Sequence, residues 1–180
     1  NLTIAEDSGS HSVSLAGITA GGSESQTLRV TAVSSNTSII PTPAVTYTSP
    51  DSTGVLQIRP QPDAAGKSVI TVTVEDAGLD NDLATAADNA VYSRSFEVTV
   101  SQVNDAPTLN VLDSLKVNED AAEQTVSLSG IAAGGGESQV LRVTATSSDT
   151  TLIPNPPITY TSPEATGTLR FQPAANRFGT

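Results

Sequence analysis

The chain has 180 residues, with nineteen acidic against eight basic side chains, a net charge of −11, 3% aromatics and no cysteine. Scattered Lys and Arg under that acid excess exclude a phosphate-binding face, so nucleic acid is not an expected partner; without disulfides, stability must come from core packing or metal. No run approaches the roughly 18 apolar residues of a membrane span, so direct membrane insertion is not expected, and a composition of Thr, Ser, Val and Ala punctuated by Gly and Pro suits short strands joined by turns.

In chain order, seven strands are predicted over residues 2–4, 12–16, 27–34, 45–48, 55–59, 68–74 and 94–101. Alternation is cleanest in the last two, which place Ile70, Val72 and Val74 on one face and Phe96, Val98 and Val100 on one face. Turn signals such as Ala-Gly-Gly, Pro-Thr-Pro and Ser-Pro-Asp separate the runs. Number, length and spacing predict an all-β, immunoglobulin-like β-sandwich without the Cys and Trp hallmarks of that fold.

The order then returns. Glu6-Asp7, Val13-Ser14-Leu15, Gly17-Ile18, the loop from Ala20 to Gln26 and Leu28-Arg29-Val30-Thr31-Ala32 recur as Glu119-Asp120, Val126-Ser127-Leu128, Gly130-Ile131, the loop from Ala133 to Gln139 and Leu141-Arg142-Val143-Thr144-Ala145. Thr46-Tyr47-Thr48-Ser49-Pro50 likewise recurs as Thr159-Tyr160-Thr161-Ser162-Pro163. About half of the paired positions are identical at a spacing of roughly 113 residues, the size of a sandwich domain rather than a solenoid repeat. The expected organisation is one repeat over residues 1–103, a linker over 104–110 and an incomplete second repeat over 111–180. Thr180 pairs with Lys67, so counterparts of the strands at 68–74 and 94–101 fall outside the sequence. Two absent strands would leave bare edges, and with no initiator Met or leader in view the chain is expected to be the interior of a longer one. Strand donation by a neighbouring molecule is the less favoured alternative.

Acidic residues collect at three places. They are Glu6-Asp7 with its copy Glu119-Asp120, the long loop holding Glu75, Asp76, Asp80, Asn81, Asp82, Asp88 and Asn89, and Asn104-Asp105 between the repeats. Calcium takes about six to eight oxygens, more than any one of these stretches supplies. The loop from Asp76 is no EF-hand, since the required Gly is absent and position twelve is Ala87. The loop from Ala20 is neither a glycine-rich nonapeptide nor a phosphate loop. Each acidic stretch also has a plain reading as turn residues or solvated charge. The single His, His11, has Gln124 as its counterpart and no oxyanion motif nearby, so no enzymatic activity is expected. Tyr47 and Tyr160 recur inside strands and are expected to pack.

The seam Val103-Asn104-Asp105-Ala106-Pro107, the following Asn118-Glu119-Asp120, and Val72-Thr73-Val74-Glu75-Asp76 ahead of a Gly resemble the cadherin-like tandem repeats of very large bacterial surface proteins. The resemblance covers the entire chain. It implies an immunoglobulin/cadherin-like β-sandwich with calcium at the junctions, bound by an early Glu, the linker Asn-Asp and a strand-end Asp. Carried over, the expected metal ligands are Glu6, Asn104 and Asp105 at the seam, with Asp76 and Glu119 serving neighbouring seams. Asp80, Asp82 and Asp88 are a separate candidate loop site. The implied function is a calcium-stabilised spacer rod of a bacterial cell-surface or secreted adhesin-like protein, with neighbouring repeats as its partners. The alternatives are a glycan- or protein-binding module acting through its loops, and a strand-donating fibre subunit.

Overall fold

The computed structural model describes residues 1–180, all-β with no helix, and divides into two compact units, Asn1–Val103 and Asn104–Thr180. The first unit holds β1 (Leu2–Ala5), β2 (His11–Ala16), β3 (Leu28–Ser34), β4 (Ala44–Thr46), β5 (Thr53–Ile58), β6 (Gly66–Asp76) and β7 (Val91–Ser101). All seven predicted strands are present, and β6 and β7 extend beyond their predicted ends. The extension has a physical cause: β6 and β7 form one long antiparallel hairpin, from Gly66 opposite Val100 to Glu75 opposite Val91. Each added rung satisfies further backbone donors and acceptors.

The strands of the first unit form a β-sandwich of two sheets, ordered β1-β7-β6-β3 and β2-β5-β4, with β1 parallel to β7. Their inner faces meet in one core. Leu56 and Ile58 of β5 pack with Ile4, Ala32, Ile70, Val98 and Val100 of the larger sheet and with the loop residue Ile40. Ile70 and Val98 are completely buried, as the period-2 alternation of β6 and β7 predicts. On the outer face of the hairpin, Thr71 and Thr73 exchange hydroxyl hydrogen bonds of 2.8 Å with Ser95 and Ser93. A buried polar residue, Ser68, is matched by Ser34 Oγ at 2.8 Å and the Asn36 N–H at 3.1 Å.

The second unit holds β8 (Gln124–Ser129), β9 (Ile158–Thr159) and β10 (Thr166–Phe171), a single sheet ordered β8-β10-β9 that corresponds to β2-β5-β4. Leu141-Arg142-Val143-Thr144-Ala145 repeats the sequence of β3 yet forms no ladder. β3 pairs only with β6, and no counterpart of β6 lies within the 180 residues. A strand is a property of a pair, and propensity alone does not make one. Smaller features recur in both units. Ser49 and Ser162 accept the N–H of Leu28 and Leu141 at 2.9 and 3.0 Å. Tyr47 and Tyr160 lie against Gly54 and Gly167, where an added Cβ would stand 3.4 Å from the ring.

The cross-strand pair Arg29 and Glu75 carries a pH dependence. The guanidinium donates to Glu75 Oε2 through Nε at 3.0 Å and through Nη2, and Asn89 Nδ2 donates to Oε1 at 3.1 Å. Chiefly through Arg29, these bonds hold the Glu75 carboxyl below its ordinary value of 4.5. A depressed carboxyl stabilises the fold above the unfolded value, and that contribution disappears as pH falls through the folded value. The melting-temperature gap between this chain and Glu75→Gln is therefore expected to hold steady from about pH 7 to about pH 5 and to close near about pH 3. A gap that widens on acidification would contradict the assignment.

Candidate functional site

In the first unit Glu6 follows β1, and its side chain is 2% exposed. Its N–H donates to Ser101 O at 3.0 Å, and its Oε1 accepts the Val103 N–H at 2.8 Å. Burial of a carboxylate is tolerated where backbone donors meet it. Glu6 thus fixes the point at which the polypeptide leaves the first unit.

Asp7, next in sequence, adopts φ 59° and Asp63, after β5, φ 53°. Asp enters this left-handed region more readily than most residues. The two turns bring carboxylate oxygens of Asp7 and Asp63 within 4.8 Å of each other on the surface, and the Asp63 N–H points at Asp7 Oδ1 at 3.4 Å. The same turn pair recurs in the second unit, where Asp120 (φ 60°) accepts the N–H of Asn176 (φ 53°) at 2.8 Å. There the second carboxylate is replaced by an amide. Asp63 was not among the residues expected from sequence; the signal it leaves is a left-handed-tolerant Asp or Asn at the same place in both copies.

The long acidic loop spends its carboxylates on its own backbone. Asp76 Oδ1 accepts the N–H groups of Gly78 and Ala90 at 3.0 and 2.9 Å. Asp80 and Asp82 each accept the N–H two residues on, both at 2.9 Å, and Asp88 accepts from Leu79 at 2.8 Å. Asp88 also sits under Gly78 (φ 58°), where a Cβ would lie 2.4 Å from its carboxyl carbon. The bonds to Gly78, Asp82 and Ala84 are Asx turns, and those to Ala90 and Leu79 tie the two ends of the β6–β7 connection together. Asp80, Asp82 and Asp88 do not converge into a group of three at metal-bridging distance. Glu119, the copy of Glu6, is exposed, since no counterpart of Val103 reaches it.

In the second unit the seam residues are clasped by the glycine-rich loop. Glu137 Oε2 accepts the Asp105 N–H at 3.1 Å, and Gln139 Nε2 donates to Asn104 Oδ1 at 2.6 Å and to Glu137 Oε2 at 2.9 Å. The Ala106 carbonyl and the Asp105 carboxylate lie directly over Gly134 and Gly135, too close for any Cβ. Farther along, Thr108 bridges to Ala132, and Asn110 donates to Ser129 O at 2.9 Å. Residues 104–110, expected as a linker, are thus laid along the second unit as an added edge segment.

No protein-family model, no curated protein and no solved structure matches the chain. The chemistry of the sites must therefore carry the reading. Oxygen donors dominate throughout. His11 Nε2 lies 2.6 Å from Ser8 Oγ, but no acid forms a salt bridge with the ring, and the pair lacks the third member that a nucleophilic serine requires.

Proposed function

We propose that this protein is a non-enzymatic structural repeat of a secreted or bacterial cell-surface adhesin-like protein, a spacer stabilised by calcium. The observation that carries the reading is the pair of Asp7 and Asp63 carboxylates held within 4.8 Å by two left-handed turns beside the buried Glu6. Two like charges fixed together on an acidic surface repel each other, and a hard divalent cation relieves that repulsion. Duplication at domain size, with the same hydrogen bonds rebuilt in the second copy, supports a tandem scaffold whose partners are neighbouring repeats. The loop-based glycan- or protein-binding alternative has less support in the second unit, where the loop at residues 134–139 is engaged with its own polypeptide.

Calcium at millimolar concentration, the range of extracellular modules, is expected to raise the melting temperature of the 180-residue chain, since a ligand of the native state stabilises by mass action. Asp63→Asn is expected to remove most of the rise while leaving the calcium-free melting temperature unchanged or slightly higher. Equal melting temperatures in calcium and in chelator would sink the calcium reading.

A further inference from the structure

The two copies of the glycine-rich ledge have the same backbone and opposite occupancy. Gly17, Gly21, Gly22 and Ser23 adopt φ of 71°, 89°, 51° and 69°; their counterparts Gly130, Gly134, Gly135 and Gly136 adopt 68°, 94°, 45° and 70°. The closing hydrogen bonds, Glu24 N–H to Gly21 O and Glu137 N–H to Gly134 O, are both 2.8 Å. In the second unit a Cβ on Gly130, Gly134 or Gly135 would meet Asn110, Ala106 or Asp105. In the first unit a Cβ on Gly17 or Gly21 meets nothing within 4 Å, and one on Gly22 meets only its neighbour Glu24 at 3.7 Å.

Burial follows the same division. Leu128 and Ala133 are 2% and 5% exposed, while their counterparts Leu15 and Ala20 are only half-buried. This runs against the larger trend, because the first unit has a facing sheet and the second has none. Gln26, the copy of Gln139, keeps its Oε1 buried with no hydrogen-bond partner. Beside this ledge the edge strand β2 borders an open cleft of about 610 Å3, lined in part by Leu15, Gly17, Val72, Val74 and Phe96.

We propose that the ledge formed by Ala16, Gly17, Thr19, Gly21, Gly22, Glu24 and Gln26 is a preformed receptor for an extended Asn-Asp-Ala-Pro-Thr-Leu-Asn segment, entering in cis directly ahead of Asn1. The segment's Asp N–H donates to Glu24 and its Asp side chain lies over Gly22. Its Asn side chain pairs with Gln26, its Thr bridges Thr19, and its Leu lines the mouth of the cleft beside Ile18 and Val30, as Leu109 lines a groove with Ile131 and Val143. The occupant is identified by residues 104–110, which make these contacts on an almost identical ledge in the second unit. A cis source is favoured over a second molecule, because residues 104–110 of a second molecule are already held by that molecule's own loop and would lose as many bonds as they gained. A preorganised loop lowers the ordering cost of docking. The inference does not depend on calcium.

The test joins a copy of residues 103–113 ahead of Asn1, which reproduces the spacing of the second repeat, and follows amide hydrogen exchange in the whole chain. Exchange at Ile18, Gly22 and Glu24 is expected to slow by roughly tenfold or more, with no change at Ile131, Gly135 and Glu137. The same extension with its Asn and Asp replaced by Ala is expected to lose most of that protection. Equal exchange in extended and unextended chains would overturn the proposal. So would protection in the unextended chain that rises with concentration alongside a dimer mass, since that outcome assigns the ledge to a second molecule.

Discussion

Gly134→Ala is expected to release the seam from the second unit, while Gly21→Ala at the matching position costs only backbone strain. Both glycines sit at strongly positive φ, 94° and 89°, where a Cβ is penalised by about 1–2 kcal/mol. At Gly134 the new Cβ would also stand 2.4 Å from the Ala106 carbonyl oxygen, a backbone atom with no rotamer by which to move aside. Residues 104–106 must then leave the loop. The hydrogen bond from the Asp105 N–H to the Glu137 carboxylate is lost with them, and bonds to charged groups are worth about 1.5–3 kcal/mol. The excess cost of Gly134→Ala over Gly21→Ala should therefore be about 1.5–3 kcal/mol. It should be read as faster amide exchange at Asp105 and Thr108 in the first variant only. Equal costs at the two positions would mean that the clasp contributes nothing.

Leu56→Ala is expected to be the most damaging single truncation in the first unit, at about 2–5 kcal/mol. Leu56 is fully buried between the two sheets, so its removal leaves a cavity that neighbouring strands cannot close without breaking ladders. The matching Leu169→Ala should cost clearly less, because Leu169 is only half-buried on a sheet with no facing layer. Chemical denaturation of both variants, followed by exchange at core amides of each unit, gives the comparison. A Leu169 variant as damaged as the Leu56 variant would contradict the one-sheet description of the second unit.

The strands were legible because alternation is a local signal: Ile70, Val72, Phe96, Val98 and Val100 declare their inner face without reference to any partner. The acidic residues were legible only as a list. Asp76, Asp80, Asp82 and Asp88 stand near one another in one dimension, and the backbone N–H groups that an oxygen of each accepts appear only when the loop is closed. Asp63 was missed for the converse reason. It stands alone in sequence and meets Asp7 through two left-handed turns on separate connections.

The seam shows both limits together. By itself the sequence determined an all-β chain, a duplication of domain length and the place where one copy gives way to the next, since period, composition and identity are one-dimensional properties. Only the tertiary structure decided that Leu-Arg-Val-Thr-Ala is a strand in one copy and unpaired in the other, and that Glu6 seats the Val103 amide. It also decided that the loop shared by both copies is filled in one and open in the other. Those outcomes depend on which partner is present across a gap of a few ångströms, and two nearly identical local sequences carry no record of what stands opposite them.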